Sequence, residues 1–186
     1  MQCPKQSTQE DIIMDLLFQS SDISVRRMTY ADIPAICEAY DHKSDNDAAY
    51  LNRQLANQDK QECSALLALY HENVAGYVLL YYRCRWGGLA NCNLPSVVDL
   101  IVFKDYRQKK IATVLMDVAE NIAKKHCDKV YLDVCLNAEY GPAQRLYTKR
   151  GYIPDGKGIY YEGKVCETDA DCKNNDELAL CLVKNL

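Results

Sequence analysis

The stretch from Val97 to Met116 decides the fold, and it reads VVDLIVFKDYRQKKIATVLM. Its beginning, Val97 to Phe103, is apolar except for Asp99, as expected of a strand that is covered on both faces of a sheet. Further on, apolar residues recur at helical spacing and form one stripe. The stripe consists of Ile111, Leu115, Val118, Ala119, Ile122 and Ala123. The stretch therefore predicts a strand that passes almost directly into a helix.

The turn between the predicted strand and helix is basic, since it contains Arg107, Lys109 and Lys110. A helix N-terminus leaves backbone N–H groups without partners and carries the positive end of the helix dipole. Combined with three cations, these groups indicate an anion site, and the favoured anion is a phosphate. The alternative is an ordinary basic helix N-terminus, which any α/β protein can contain.

This turn resembles the acyl-CoA-binding motif of the GNAT acetyltransferases, written Arg/Gln-x-x-Gly-x-Gly/Ala. Arg107 and Ala112 match the two ends of the motif, and Lys110 stands in place of its central Gly. A Lys at that position still donates its backbone N–H and adds a charge. The resemblance implies that the turn and the first helical residues hold the pyrophosphate of acetyl-CoA. These residues are Arg107, Gln108, Lys109, Lys110, Ile111, Ala112 and Thr113.

A second motif follows after one more predicted strand and reads YGPAQRLYTKRGY from Tyr140 to Tyr152. Pro142 suits the start of a helix, and Gly151 suits its end. The segment resembles the second GNAT signature, Asn-x-x-Ala-x-x-Leu-Tyr-x-x-x-Gly-Phe. The matching residues are Ala143, Leu146, Tyr147, Gly151 and Tyr152. The resemblance assigns Tyr140 and Ala143 to the cofactor side, although Tyr140 replaces the usual Asn, whose contact is not carried over.

The order of the predicted elements agrees with this resemblance. Strands are predicted at 23–28, 65–70, 75–82, 97–103, 129–136 and 177–183, and helices at 31–40, 46–58 and from 111 onward. A strand, a long helix and another strand in succession form a right-handed parallel crossover. The resemblance implies the GNAT acyl-CoA N-acyltransferase fold, an α/β class with a mostly antiparallel mixed sheet. Its other expected features are a splayed pair of parallel strands and flanking helices.

The resemblance covers about residues 22–186, which we expect to form one acetyltransferase domain. Residues 1–21 are predicted to be an N-terminal extension. Ser7 and Glu10 fit a capping box, and Leu16 and Leu17 fit the apolar face of a short helix that would follow it. A mobile tail is the alternative for this segment.

Composition excludes several classes of protein. The net charge of −4 argues against a nucleic-acid binder, and no apolar run is long enough to predict a membrane span. No signal peptide is visible, so we interpret the 10 cysteines as reduced and the protein as cytoplasmic. Cys166 and Cys172 lie in a polar loop without a nearby His, which makes a poor zinc site, and no metal is expected.

Two side chains are candidates for the chemistry of amide formation. The resemblance implies that Tyr147 points at the thioester sulfur and protonates the departing thiolate. Its alternative role is packing beside Ala143 on a buried helix face.

Asp99 is the candidate base. We expect it to share a strand face with Val97, Ile101 and Phe103, where a carboxyl group is costly unless it is paired or used. A buried salt bridge or a hydrogen bond to a neighbouring strand is the alternative for Asp99.

The resemblance assigns a third part of the chemistry to backbone amides. In the family, the strand that here contains Leu100, Ile101 and Val102 splays from the next parallel strand. Its amides bind the pantetheine arm of the cofactor and polarise the thioester carbonyl.

The acceptor is the least defined partner. We expect an acetyl-CoA-dependent N-acetyltransferase in which a primary amine attacks the thioester directly. We favour a small molecule as the acceptor. We expect the protein to be a monomer or a homodimer. The acidic loop 162–177 would favour a cationic amine if it lines the acceptor pocket, and is otherwise simply solvated. One alternative is a protein or peptide acceptor. Another is a non-catalytic acyl-CoA-binding or interaction module with a degenerate phosphate turn.

Overall fold

The structure, a computed structural model, describes residues 16–40, 45–90 and 92–186. In this part of the chain the strands are β1 (Leu16–Gln19), β2 (Ile23–Arg27), β3 (Cys63–Tyr70), β4 (Asn73–Tyr81), β5 (Ser96–Val102), β6 (Lys129–Cys135), β7 (Ile153–Tyr161), β8 (Lys164–Val165) and β9 (Leu178–Asn185). The helices are α1 (Ile33–Ala39), α2 (Asp45–Asp59), α3 (Ile111–Ala123) and α4 (Gly141–Lys149).

The strands form one mixed sheet in the order β1-β2-β3-β4-β5-β6-β9-β7-β8. Strands β5 and β6 are parallel and are connected through α3, whereas the other neighbouring pairs are antiparallel. The predicted α/β class, with an antiparallel sheet that contains one parallel pair, is confirmed. The strand–helix–strand crossover predicted from the central stretch is β5-α3-β6.

Helices cover both faces of the sheet, which explains why the central strands are apolar on both sides. Helices α3 and α4 pack on one face over a core that includes Val97 and Leu115. Helices α1 and α2 pack on the other face over a core that includes Ile36, Leu51 and Leu55. Burial of each such side chain stabilises the fold by about 1.5–3 kcal/mol. Candidate site residues can therefore approach the sheet from two opposite layers.

A network of ion pairs connects α3, the end of α4 and β9. Glu120 on α3 accepts hydrogen bonds from Arg150 Nη2 at 2.8 Å and from Lys184 Nζ at 2.5 Å, and Arg150 also contacts Asp117 at 2.7 Å. Burial alone would raise the pKa of Glu120, but the bonds from Arg150 and Lys184 outweigh it and lower the pKa. The network fixes α4 against α3.

The N-terminal segment joins the sheet where it is described. Leu16 and Leu17, which the sequence placed on a possible helix, lie in β1, and this strand pairs antiparallel with β2. The possible capping box of Ser7 and Glu10 lies outside the described residues. Among the helices that are described, none is long and apolar enough to cross a membrane.

Candidate active site

Strand β5 contains a β-bulge at its centre. The ladder to β4 pairs Val98 with Leu79 and Ile101 with Tyr77, so β5 has one more residue than β4 over this interval. Asp99 lies within the bulge and has a φ of 52°, in the left-handed region. A bulge breaks the regular alternation of side chains along a strand and redirects one of them.

The bulge corrects the predicted environment of Asp99. Val97 packs in the core under α3 and α4, whereas Ile101 and Phe103 pack in the core under α1 and α2. Asp99 faces α2, where its carboxylate accepts a hydrogen bond from Tyr50. The prediction that Asp99 shares a face with Val97 is therefore wrong, because the extra residue changes the alternation between them.

The carboxylate of Asp99 lies in a half-buried, phenol-lined environment. Tyr50 is its hydrogen-bond partner among the described residues, and it donates to Oδ2. Burial raises the pKa of Asp99, and the bond from Tyr50 opposes this effect. The charge of Asp99 in turn helps to raise the pKa values of other tyrosines, after burial, which is the largest cause for each. These tyrosines are Tyr40, Tyr77, Tyr81 and Tyr147.

Tyr147 approaches the same place from the opposite layer. It lies on α4 with only 7% of its surface exposed, and its ring meets that of Tyr152 edge-on at 5.8 Å between centroids. Burial, then the charges of Asp99 on β5 and Cys135 on β6, raise the pKa of Tyr147. Its hydroxyl makes no hydrogen bond to any residue that the structure describes. Tyr147 is thus a core residue whose protonated hydroxyl remains available as a donor.

The parallel strands enclose a gap beside these side chains. Strands β5 and β6, both fully described, pair only at Ser96 and Tyr131, and no ladder connects them beyond that point. On its other edge β5 is held by β4, where Val102 pairs with Gly76. A Cβ on Gly76 would lie 2.4 Å from the carbonyl oxygen of Ile101, so this close approach requires glycine. The predicted backbone cradle, Leu100 to Val102, therefore borders the gap, and no strand pairs with its β6-facing edge.

The basic turn leads into the N-terminus of α3 with an unusual backbone. Gln108 has a φ of 63° and Lys110 a φ of 64°, both in the left-handed region. Lys110 is the N-cap residue of α3 and makes no side-chain capping bond. The N–H groups of Ile111, Ala112 and Thr113 thus have neither a helical partner nor a cap. A left-handed backbone favours glycine, so Lys110 occupies a conformation that is costly for its side chain.

The side chains of the turn point in different directions. The Nε group of Arg107 donates to the carbonyl of Val102 at 3.3 Å, which ties the turn to the end of β5. The ammonium of Lys109 lies 4.6 Å from the ring centroid of Tyr70 and 5.3 Å from that of Tyr106. Gln108 and Lys110 are exposed. The free amides at the start of α3 are therefore the best-defined anion-binding groups of the turn.

The start of α4 lies beside the end of β6, where Gln144 Nε2 donates to the carbonyl of Cys135 at 2.8 Å. Tyr140 is the N-cap residue of this helix, and Ala143 packs against the same core as Tyr147. Burial, then the charges of Cys135 and Asp176, raise the pKa of Tyr140.

The acidic loop touches this region only at its end. The thiol of Cys135 donates to the backbone carbonyl of Asp176 at 3.1 Å, and the carboxylate of Asp176 accepts from Asn137 Nδ2 at 3.0 Å. The other acidic residues of the loop are exposed. Their arrangement agrees with a solvated loop.

The chain belongs to the GNAT family, since the acetyltransferase (GNAT) family profile matches residues 28–152, more than half of its length. The matched GNAT region contains β5, the basic turn and α4. Among the described residues of this GNAT protein, no group of three or more His, Cys, Asp or Glu side chains is arranged to hold a metal ion.

The relatives of this GNAT protein include enzymes that act on α-amines. An N-alpha-acetyltransferase from Saccharolobus solfataricus is 32% identical over 111 residues, which are 50% of this chain and 64% of that one. The match thus spans less than two thirds of that relative's length.

Solved structures share the GNAT fold. The ribosomal alpha-N-protein acetyltransferase RimL, in complex with coenzyme A, superposes with a TM-score of 0.69 at 5% identity, covering 92% of this chain and 98% of that one. Ard1 from Thermoplasma volcanium superposes with a TM-score of 0.63 at 13% identity, covering 89% of this chain and 98% of that one. At these identities the similarity establishes the fold alone.

Sequence reasoning missed two hydrogen bonds, from Tyr50 to Asp99 and from Gly88 to Asp133. The helical pattern places Tyr50 on the apolar side of α2, and nothing in the spacing indicates that its hydroxyl meets a carboxylate. In the loop that precedes β5, the N–H of Gly88 donates to Asp133 on β6 at 2.9 Å, and Trp86 packs edge-on against Tyr81 while half exposed. Gly88 and Asp133 are 45 positions apart in the chain, so only the packing of this loop against β6 brings them together.

Proposed function

We propose that the protein is an acetyl-CoA-dependent N-acetyltransferase whose acceptor is the α-amine of a protein or peptide. One observation supports the transfer chemistry above the others. Asp99 belongs to β5 and bonds to Tyr50 on one face of the sheet, Tyr147 belongs to α4 on the other face, and the charge of Asp99 contributes, after burial, to the raised pKa of Tyr147. A base and an acid on the two sides of one gap is the arrangement that direct acyl transfer needs.

The residues of the turn and of β5 fit acetyl-CoA. Three uncapped N–H groups at the start of α3, with Arg107 nearby, suit a pyrophosphate. The unpaired edge of β5 from Leu100 to Val102 suits the extended pantetheine arm, which has its own amide groups. When bound, acetyl-CoA would supply an activated acetyl thioester. RimL, which shares the fold, has been solved in complex with coenzyme A.

The proposed acceptor differs from the small molecule favoured on sequence. The relative from Saccharolobus solfataricus is an N-alpha-acetyltransferase, and RimL is an alpha-N-protein acetyltransferase. These names support the alternative of a protein or peptide acceptor. An α-amine also has a pKa of about 8, against about 10 for lysine, so less free energy is needed to form its neutral, nucleophilic state.

Each proposed residue has a defined task. Asp99 accepts the proton that the amine must lose, and its raised pKa brings it nearer to that of the amine than an exposed Asp would be. Tyr147 keeps its proton at neutral pH and donates a hydrogen bond, or the proton itself, to the departing thiolate. The backbone of Leu100 to Val102 positions the thioester.

The test is acetyl transfer from acetyl-CoA to a peptide that carries a free α-amine and one internal Lys, with tandem mass spectrometry to locate the acetyl group. We expect acetylation of the α-amine. The matched control is the same peptide with its α-amine blocked, which should remain unmodified. Transfer to small amines alone would contradict the proposed acceptor. Acetyl-CoA binding without transfer to any amine would support the non-catalytic module.

A further inference from the structure

We propose that Tyr50 is the positioning residue of Asp99, which orients its carboxylate and sets the lowest pH at which Asp99 works as the base. This inference rests on the proposed function, because it takes Asp99 to be the base. Tyr50 belongs to α2, whereas Asp99 belongs to the bulge of β5, so the contact depends on the packing of a helix on the sheet.

The packing of α2 fixes the position of the Tyr50 ring. The neighbouring residues Leu51 and Leu55 are each only 1% exposed and lie in the core between α2 and the sheet. The guanidinium of Arg53 lies 5.7 Å from the ring centroid of Tyr50. Tyr50 itself packs against this core, and its hydroxyl donates to Oδ2 of Asp99.

The bond engages one of the two carboxylate oxygens. Tyr50 donates to Oδ2, and Oδ1 accepts no hydrogen bond from any described residue. The bulge turns Asp99 toward α2, and Tyr50 then prevents the carboxylate from rotating about its last torsion. The remaining oxygen is therefore held in a constant direction for the N–H of an acceptor amine.

Apart from the guanidinium of Arg53 against the ring of Tyr50, the titratable groups that the structure describes near Asp99 are phenols that bond elsewhere or not at all. From β4, Tyr81 bonds to Gln54, and Tyr77 shares a hydrogen bond with Tyr40 at the end of α1. From α4, Tyr147 bonds to no described residue. These phenols are uncharged at neutral pH. Within the described part of the chain, Tyr50 is the group whose hydrogen bond stabilises the charged form of Asp99 against burial.

The substitution Tyr50→Phe tests this role because it keeps the ring and removes the hydroxyl. A hydrogen bond to a charged group contributes about 1.5–3 kcal/mol, which corresponds to roughly 1–2 pH units. We expect the acid limb of the kcat/KM profile, measured with one peptide throughout, to move up by at least about one pH unit. At high pH the variant should recover most of its rate but stay below the wild type, because the carboxylate is charged again and no longer oriented by the bond from Tyr50. A purely structural role would lower the rate equally at every pH.

The matched control is Tyr40→Phe, which removes a hydroxyl that bonds to Tyr77 and not to Asp99, and it should leave the acid limb unchanged. A second variant, with 3-fluorotyrosine at position 50, carries a more acidic phenol that donates more strongly. This variant should move the acid limb of the kcat/KM profile to lower pH, and it keeps every atom of the hydrogen bond to Asp99. An unchanged limb in both Tyr50 variants would overturn the inference.

Asp99→Asn separates the two possible failures. If this variant loses activity but the Tyr50 variants leave the limb in place, the inference about Tyr50 is wrong and the proposed base stands. If Asp99→Asn keeps full activity with the wild-type limb, Asp99 is not the base and both claims are overturned.

Discussion

The proposed cofactor side and the proposed acceptor side of the gap consist of different kinds of groups. On the cofactor side the groups that matter are backbone groups, namely the N–H groups at the start of α3 and the open edge of β5. On the acceptor side they are side chains that distant elements bring to Asp99, above all Tyr50 from α2. Backbone sites depend on local chain geometry, whereas side-chain sites depend on how helices and strands pack. The two sides should therefore respond differently to substitution.

The largest effect is expected for Asp99→Asn. The amide keeps the shape of the carboxyl group but cannot accept the proton of the amine. Turnover should fall by about 10²–10⁴-fold, the range for loss of a general base. Calorimetry should show unchanged acetyl-CoA affinity, because the groups proposed to bind the cofactor are backbone groups that this substitution leaves in place. A parallel loss of cofactor binding would break the proposed division between the two sides.

Tyr147→Phe should have the next largest effect. The hydroxyl bonds to no described residue, so its removal should cost little stability, and the ring keeps its contact with Tyr152. Turnover should fall by about 10²-fold, with unchanged acetyl-CoA affinity and an unchanged melting temperature. The sequence left open whether Tyr147 only packs against Ala143. Turnover at the wild-type level in this variant would favour that structural role.

The ion pairs of Glu120 hold α4 against α3 and should affect stability more than chemistry. Glu120→Gln removes the charge from a nearly buried site and should lower the free energy of unfolding by about 2–4 kcal/mol at pH 7, as measured by urea denaturation. Asp117→Asn is the matched control, since Asp117 is more exposed and contacts only Arg150 in this network. It should cost less than about 1 kcal/mol. Equal losses would show that burial does not decide the effect.

The same network predicts a pH dependence. The pKa of Glu120 is lower in the folded protein than in the unfolded chain, because Arg150 and Lys184 stabilise its charge. Its contribution is therefore complete above the unfolded pKa of about 4.3 and is lost as the pH falls through the folded pKa. Wild-type stability should decline below that pH more steeply than the stability of Glu120→Gln. Parallel curves would contradict this assignment.

The smallest effect is expected for Lys110→Gly. A left-handed backbone costs a non-glycine residue about 1–2 kcal/mol, and the greater freedom of Gly in the unfolded chain offsets roughly 0.5–1 kcal/mol of the gain. The variant should therefore be more stable by up to about 1.5 kcal/mol. Acetyl-CoA affinity should change less than about tenfold, since the backbone N–H groups remain. Gln108→Gly is the matched control, with the same positive φ away from the helix cap. A loss of cofactor binding in Lys110→Gly alone would assign the phosphate contact to the Lys side chain.

The sequence predicts the proposed cofactor side of the gap better than the proposed acceptor side. The β5-α3-β6 crossover, the basic turn and α4 could be predicted because each is encoded by apolar spacing or a motif of neighbouring residues. The β-bulge could not be predicted, because a single extra residue in β5 leaves the apolar run of Val97 to Phe103 unchanged. For the same reason the sequence placed Asp99 beside Val97. Tyr50 was predicted only as an apolar helix residue, since its partner lies 49 positions away in the chain.

The most direct test of the central claim is acetylation of a peptide with a free α-amine by the wild-type protein and by Asp99→Asn under identical conditions. Tandem mass spectrometry would locate the acetyl group, and calorimetry would measure acetyl-CoA binding in both proteins. The proposal predicts α-amine acetylation by the wild type, a loss of at least about 10²-fold in the variant, and equal cofactor affinity. Equal acetylation by both proteins, or none by a wild type that binds acetyl-CoA, would contradict it.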